Sequence, residues 1–92
     1  MKITARQKIE DCLDGSIVFT YEMSEPWTGE NVRALGALGP MEYFADFPRP
    51  YFRLRSGDGL YVNGVVGTSS CRVVLPRSNR EAVERKWEET FM

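Results

Sequence analysis

The clearest alternation of apolar and polar residues runs from Tyr51 to Pro76. In Tyr51–Ser56, Phe52 and Leu54 point to one side, and Tyr51, Arg53 and Arg55 to the other. Further on, Leu60, Val62 and Val66 oppose Tyr61, Asn63 and Val65, and then Cys71, Val73 and Leu75 oppose Arg72 and Val74. A period of two marks a half-buried strand, so this stretch is predicted to be three strands joined by tight turns. A slip of one residue would send every side chain to the wrong face, so the turns must agree with the pattern. The three-residue loop Gly57–Asp58–Gly59 places Leu54 opposite Val62 and Phe52 opposite Gly64, and suits a type I turn followed by a left-handed glycine. An even loop around Thr68–Ser69 sets Val66 against Cys71 and Gly64 against Val73. The predicted core face is Phe52, Leu54, Leu60, Val62, Val66, Cys71, Val73 and Leu75, with a gap at Gly64 that Trp87 is expected to fill. The opposite face has the rows Tyr51–Val65–Arg72, Arg53–Asn63–Val74 and Arg55–Tyr61–Pro76.

Outside the meander the pattern changes. Thr4 with Gln7 forms a capping-box pair, Ile9 and Leu13 share a helical stripe, and Gly15 is a natural stop, which predicts a helix from Ala5 to Asp14. Ser16–Met23 alternates again and reads as a fourth strand. Glu30–Leu38 keeps Val32, Leu35 and Leu38 at helical spacing, within a Pro- and Gly-rich segment from Ser24 to Pro50. That segment also holds Trp27, Met41, Tyr43, Phe44 and Phe47, expected to cover one end of the core; the alternative is a lid or a partner-binding flap. Ser78 with Glu81 is a second capping box opening a last helix, along which Val83, Trp87 and Phe91 make one apolar stripe. The expected fold is therefore a single α+β domain over 1–92. It has an antiparallel sheet of about four strands, in the order α-β-(short α)-β-β-β-α, with the N- and C-terminal helices packed on one face.

Composition narrows the function. A chain of 92 residues that is 42% hydrophobic and 12% aromatic belongs with folded domains rather than disordered ones. No apolar run is long enough for a leader or a bilayer span, so the expectation is a cytoplasmic protein with no membrane partner. Histidine is absent, which removes the usual general base, the Ser-His and Cys-His pairs and the commonest metal ligand. Cys12 and Cys71 lie in no Cys-x-x-Cys pattern and by themselves cannot complete a tetrahedral zinc site; they read as free thiols. Neither catalysis, a metal nor a cofactor is expected.

Net charge is −1 but unevenly spread: residues 47–80 hold six arginines against Asp58 alone, while the first 46 residues are acidic. Three of these arginines fall on the open sheet face with two tyrosines, which makes Tyr51, Arg53, Arg55, Tyr61 and Arg72 the candidate binding residues, since Arg and Tyr dominate interaction hot spots. The leading expectation is a small non-enzymatic interaction or accessory module that binds a protein partner, or a second copy of itself, through this face. One alternative is RNA binding by the same side chains. Another is a small anionic ligand held beneath the 24–50 loop. The order helix, three antiparallel strands, helix is shared with double-stranded RNA-binding domains. However, residues 79–91 carry three basic side chains against four acidic ones, and the additional N-terminal helix and strand do not fit that family.

Overall fold

The computed structural model describes every residue from Met1 to Met92. The sheet has six strands rather than four: β1 (Ile3–Asp11), β2 (Ile17–Met23), β3 (Met41–Phe44), β4 (Tyr51–Arg55), β5 (Tyr61–Val65) and β6 (Ser70–Leu75). All neighbours are antiparallel, in the order β1-β2-β6-β5-β4-β3. Helix α1 (Gly29–Ala34), extended by a 3-10 turn at Leu35–Leu38, carries the chain from β2 to the far edge of the sheet. After the meander β3 to β6 brings it back, helix α2 (Arg80–Glu89) follows.

The first meander turn forms as the pattern predicts. Leu54 faces Val62 and Phe52 faces Gly64; Gly59 takes φ +98°, and Ser56 N–H donates to Leu60 O at 2.9 Å. The second hairpin is longer than predicted. Gly64 pairs with Cys71 and Val62 with Val73, two residues away from the expected register. The loop is held outward by the segment after β2, because Trp27 N–H donates to Thr68 O and Gly67 N–H donates to Trp27 O, each at 2.9 Å. A shift of two preserves the faces, so the predicted core residues Phe52, Leu54, Leu60, Val62, Cys71, Val73 and Leu75 are all buried. Val66 instead leaves the strand and is only partly covered. The gap at Gly64 is filled by Phe52, not Trp87: a Cβ there would lie 2.9 Å from the Phe52 ring.

The expected N-terminal helix Ala5–Asp14 is a strand. Its proposed stripe, Ile9 and Leu13, faces water at 51% and full exposure, so a helix there would bury nothing. Ten residues without tertiary support make a marginal helix, whereas β2 offers an unpaired edge. The hairpin closes at Cys12–Ser16, where Gly15 takes φ +90° and Asp14 accepts from both the Ser16 N–H and hydroxyl. Gly15 therefore terminates a strand pair instead of capping a helix. As an edge, β1 carries two register irregularities, near Thr4 and Ile9, and four charged side chains, Arg6, Lys8, Glu10 and Asp11, both of which discourage uncontrolled strand addition.

The remaining apolar residues of 24–50 divide between two sides of the sheet. Trp27, Val32 and Leu35 are buried in the core, and the Trp27 indole N–H donates to Ser70 O at 3.1 Å. Met41 and Tyr43 pack partly against the same core. One apolar cluster lies between the sheet and the helices, with Trp27 edge-on to Phe52 (5.0 Å) and Trp87 edge-on to Tyr21 (5.9 Å). The stripe Val83, Trp87 and Phe91 on α2 behaves as predicted, with Val83 and Trp87 buried and Phe91 packed against them. Its capping box does not form. The N-cap is Asn79 in a left-handed conformation (φ 57°), with no side-chain bond. Ionic links anchor α2 instead: Lys86 donates to Ser56 Oγ at 3.0 Å and pairs with Asp58, and Arg6 of β1 pairs with Glu84 and Glu88. No helix is long and apolar enough to cross a membrane.

Candidate functional site

With both helices on one side, the other face of the sheet has no covering element across all six strands. Strand pairing arranges it in rows. One runs Arg55–Tyr61–Val74–Val18–Glu10, and a second runs Glu42–Arg53–Asn63–Arg72–Thr20–Gln7. A third begins Phe44–Tyr51–Val65 on β3 to β5, and on the far side of the sheet Glu22 of β2 lies opposite Ser70 and beside Ala5. Every predicted site residue is on this face: Tyr51, Arg53 and Arg55 on β4, Tyr61 on β5 and Arg72 on β6. Because of the register shift, Arg72 joins the row of Arg53 and Asn63, not that of Tyr51 and Val65.

The arginines are not a free basic cluster. Arg53 pairs with Glu42 at 3.2 Å and lies over the Phe44 ring at 5.3 Å. Arg72 pairs with Glu10 at 3.4 Å. Arg55 lies over Tyr61 at 5.3 Å and is exposed. Two of the three positive charges thus face a carboxylate from the acidic first half of the chain. Glu10, Glu22 and Glu42 balance Arg53, Arg55 and Arg72, so the face as a whole is close to neutral and carries both signs.

Its apolar part is larger than the sequence suggests. Phe44 stacks on Tyr51 (4.5 Å, 21°), and Phe47 packs against both at 5.5 and 5.4 Å. These rings gather where the β3–β4 connection meets the face, and Phe47 stays half exposed. Toward the other side, Val18 is only 2% exposed, yet it belongs to this face and not to the main core. Sequence reasoning left Phe44 and Phe47 in a segment expected to cover the core or to form a flap, and missed Glu42, because β3 was not recognised. The signal was present in Met41–Phe44, where Met41 and Tyr43 alternate with Glu42 and Phe44, but four residues between proline-rich segments make a weak pattern.

Other chemistry is confined to the covered side. Burial, reinforced by Glu88, pushes the Tyr21 hydroxyl up to about 12; it donates to Glu88 at 3.2 Å and accepts from Arg6 at 3.4 Å. Burial, with a smaller contribution from Glu22, pushes the Cys71 thiol up to about 12, which makes it a poor nucleophile. At Asp58 burial acts upward, but hydrogen bonds from Lys86, Ser56 and the Leu60 N–H outweigh it and hold the carboxyl below its usual range. No set of three or more Cys, Asp or Glu side chains is arranged to hold a metal ion. The surface depressions lie around α2 and the N-terminal segment, the widest lined by Asn79, Arg80, Glu81, Ala82 and Arg85, and not on the open face. Comparison with protein-family models, with curated proteins and with solved structures finds no match for this chain.

Proposed function

We propose that this chain is a small non-enzymatic accessory module that binds a protein partner through the open face of its sheet. The observation that carries the reading is the bare face itself. Six strands are covered by helices on one side only, and the uncovered side combines stacked aromatics (Phe44, Phe47, Tyr51), partly exposed aliphatics (Val65, Val74) and both signs of charge. That mixture of rings, guanidinium groups and moderate apolar area resembles the composition of protein interfaces.

The neutral balance of the face favours protein over RNA. Nucleic-acid binding rests on releasing counterions from phosphates with unpaired positive charge, and here Glu42 and Glu10 already face Arg53 and Arg72. Burial of Trp27, Val32 and Leu35 in the core likewise leaves little support for a small anion beneath the 24–50 loop. The test is isolation of the untagged protein from its own cells beside an Arg53→Ala/Arg55→Ala variant. A specific protein retained by the wild type and lost by the variant supports the reading. Nuclease-sensitive nucleic acid in its place would overturn it.

A further inference from the structure

Resting on the reading of a protein-binding module, we propose that the partner supplies an extended segment that joins the free edge of β3 as a further strand. Ladder geometry frees this edge. Ser56 N–H donates to Leu60 O and Arg55 N–H donates to Pro40 O, so along β4 the even-numbered residues bond to β5 and the odd-numbered ones to β3. In the register Glu42↔Arg53 and Phe44↔Tyr51, Glu42 and Phe44 therefore take the bonds to β4. The N–H and C=O of Met41 and Tyr43 point away from the sheet and bond to no other backbone group of the chain. The two edges of the sheet differ in this respect. β1 is interrupted by register irregularities and carries four charges, whereas β3 runs in unbroken register with Glu42 as its one charge. A regular edge with unpaired backbone groups is the template that an extended peptide joins.

The side chains around the edge specify the segment, because residues directly opposite each other share a face. On the open side, half-exposed Phe47 packs on the Phe44 ring, so the position opposite Phe44 suits an apolar side chain. The next position, opposite Tyr43, lies on the covered side beside Arg33 of α1. The Arg33 guanidinium sits over the Tyr43 ring at 5.6 Å, and the residue is exposed and pairs with no carboxylate. That position suits an acid. Opposite Glu42, exposed despite its pairing with Arg53, a base fits, and opposite Met41 a second apolar residue. A second copy of this chain does not meet these terms. Two β3 edges that use all their free groups set Met41 against Tyr43. That register places Glu42 directly opposite Glu42, a destabilising like-charge contact.

The probe is the blocked peptide Thr-Phe-Glu-Lys-Val-Thr. Laid antiparallel to β3, it sets its Phe, Glu, Lys and Val opposite Phe44, Tyr43, Glu42 and Met41. Amide NMR of the full chain, with peptide added to about 1 mM and above, the weak end of specific association, is the measurement. The expected result is saturable shifts centred on Met41–Phe44, with slowed exchange of the Met41 and Tyr43 amides. Met41→Pro removes an outward N–H without touching a bond to β4, and Arg33→Glu reverses the charge that meets the acid. Each should weaken binding by roughly three- to tenfold. Replacing the Glu of the peptide by Lys should restore its affinity for Arg33→Glu, which decides the case if the proline variant fails to fold. A peptide that leaves these amides unmoved, or binds every variant alike, overturns strand addition but leaves the open face to the co-purification test. Protection that grows with the concentration of the chain alone overturns the choice of partner in favour of a second copy.

Discussion

The two faces of the sheet are built from the same strands, one residue apart, and reach opposite states. On the covered side Phe52, Leu54, Val62, Val73 and Leu75 are fully buried, and rings meet edge to face across the sheet. On the open side their neighbours Tyr51, Arg53, Tyr61, Asn63 and Val74 remain partly exposed, with ion pairs and ring contacts at the surface. Burial stabilises by about 25 cal/mol per Å² of apolar area removed from water, whereas an exposed ion pair contributes at most about 1 kcal/mol. The covered face therefore supplies the stability. The open face is free to change without unfolding the protein, which is the property that a binding surface needs.

The largest break in this contrast is expected from the covered side. Trp87→Ala empties the space between α2 and Tyr21 and should cost about 3–5 kcal/mol in denaturant unfolding, a large part of what a domain this small possesses. The two tryptophans sharpen the point. The Trp87 indole N–H is buried without a partner, while that of Trp27 donates to Ser70 O. Trp27→Phe should thus be more damaging than Trp87→Phe by about 1 kcal/mol; equal costs would show that the Ser70 bond adds nothing. Next comes Gly64→Ala, whose new methyl would press on the Phe52 ring; overpacking of this kind typically costs about 1–3 kcal/mol, read as a lowered midpoint.

Sensitivity to pH should also belong to the covered side. Tyr21 and Cys71 have folded values raised to about 12 from 10.0 and 9.0. Their neutral forms are favoured by the fold, so their contribution is complete below pH 9 and is lost as pH rises toward 12. Asp58 runs the other way. Its lowered value means that the contribution of the Lys86 link is complete above its ordinary 3.8 and is lost as pH falls through the folded value. Melting temperatures between pH 8 and 12 should fall less steeply for Tyr21→Phe than for the wild type, and Asp58→Asn should flatten the acid limb while costing less than about 1 kcal/mol at neutrality. Smallest of all is the open face: Arg55→Ala should change stability by no more than about 0.5 kcal/mol, although the proposed binding depends on that side chain. A large loss of stability there would mean that the face is structural.

How much of this was legible follows from where each pattern finds its partner. The meander, its alternating faces, the first turn, the β2 strand, the α1 segment and the α2 stripe were readable because their apolar period matches what they bury. The face that holds Tyr51, Arg53, Arg55, Tyr61 and Arg72 followed directly from the alternation. The rest depended on contacts distant in sequence. Residues 5–14 hold capping signals and a two-residue stripe suited to a helix, yet their backbone groups are satisfied by pairing with β2, a decision the local pattern cannot contain. Phe44 and Glu42 reached the site only because β3 adds to the edge of β4, and the second hairpin took its register from Trp27, some forty residues earlier. The charge on the open face was settled in the same way. Alternation along the chain determined which arginines share a face, but only strand order brought Glu42 beside Arg53 and Glu10 within reach of Arg72. Periodicity is a local property of the chain, whereas pairing across a sheet is decided by whichever distant strand supplies the missing hydrogen bonds and charges.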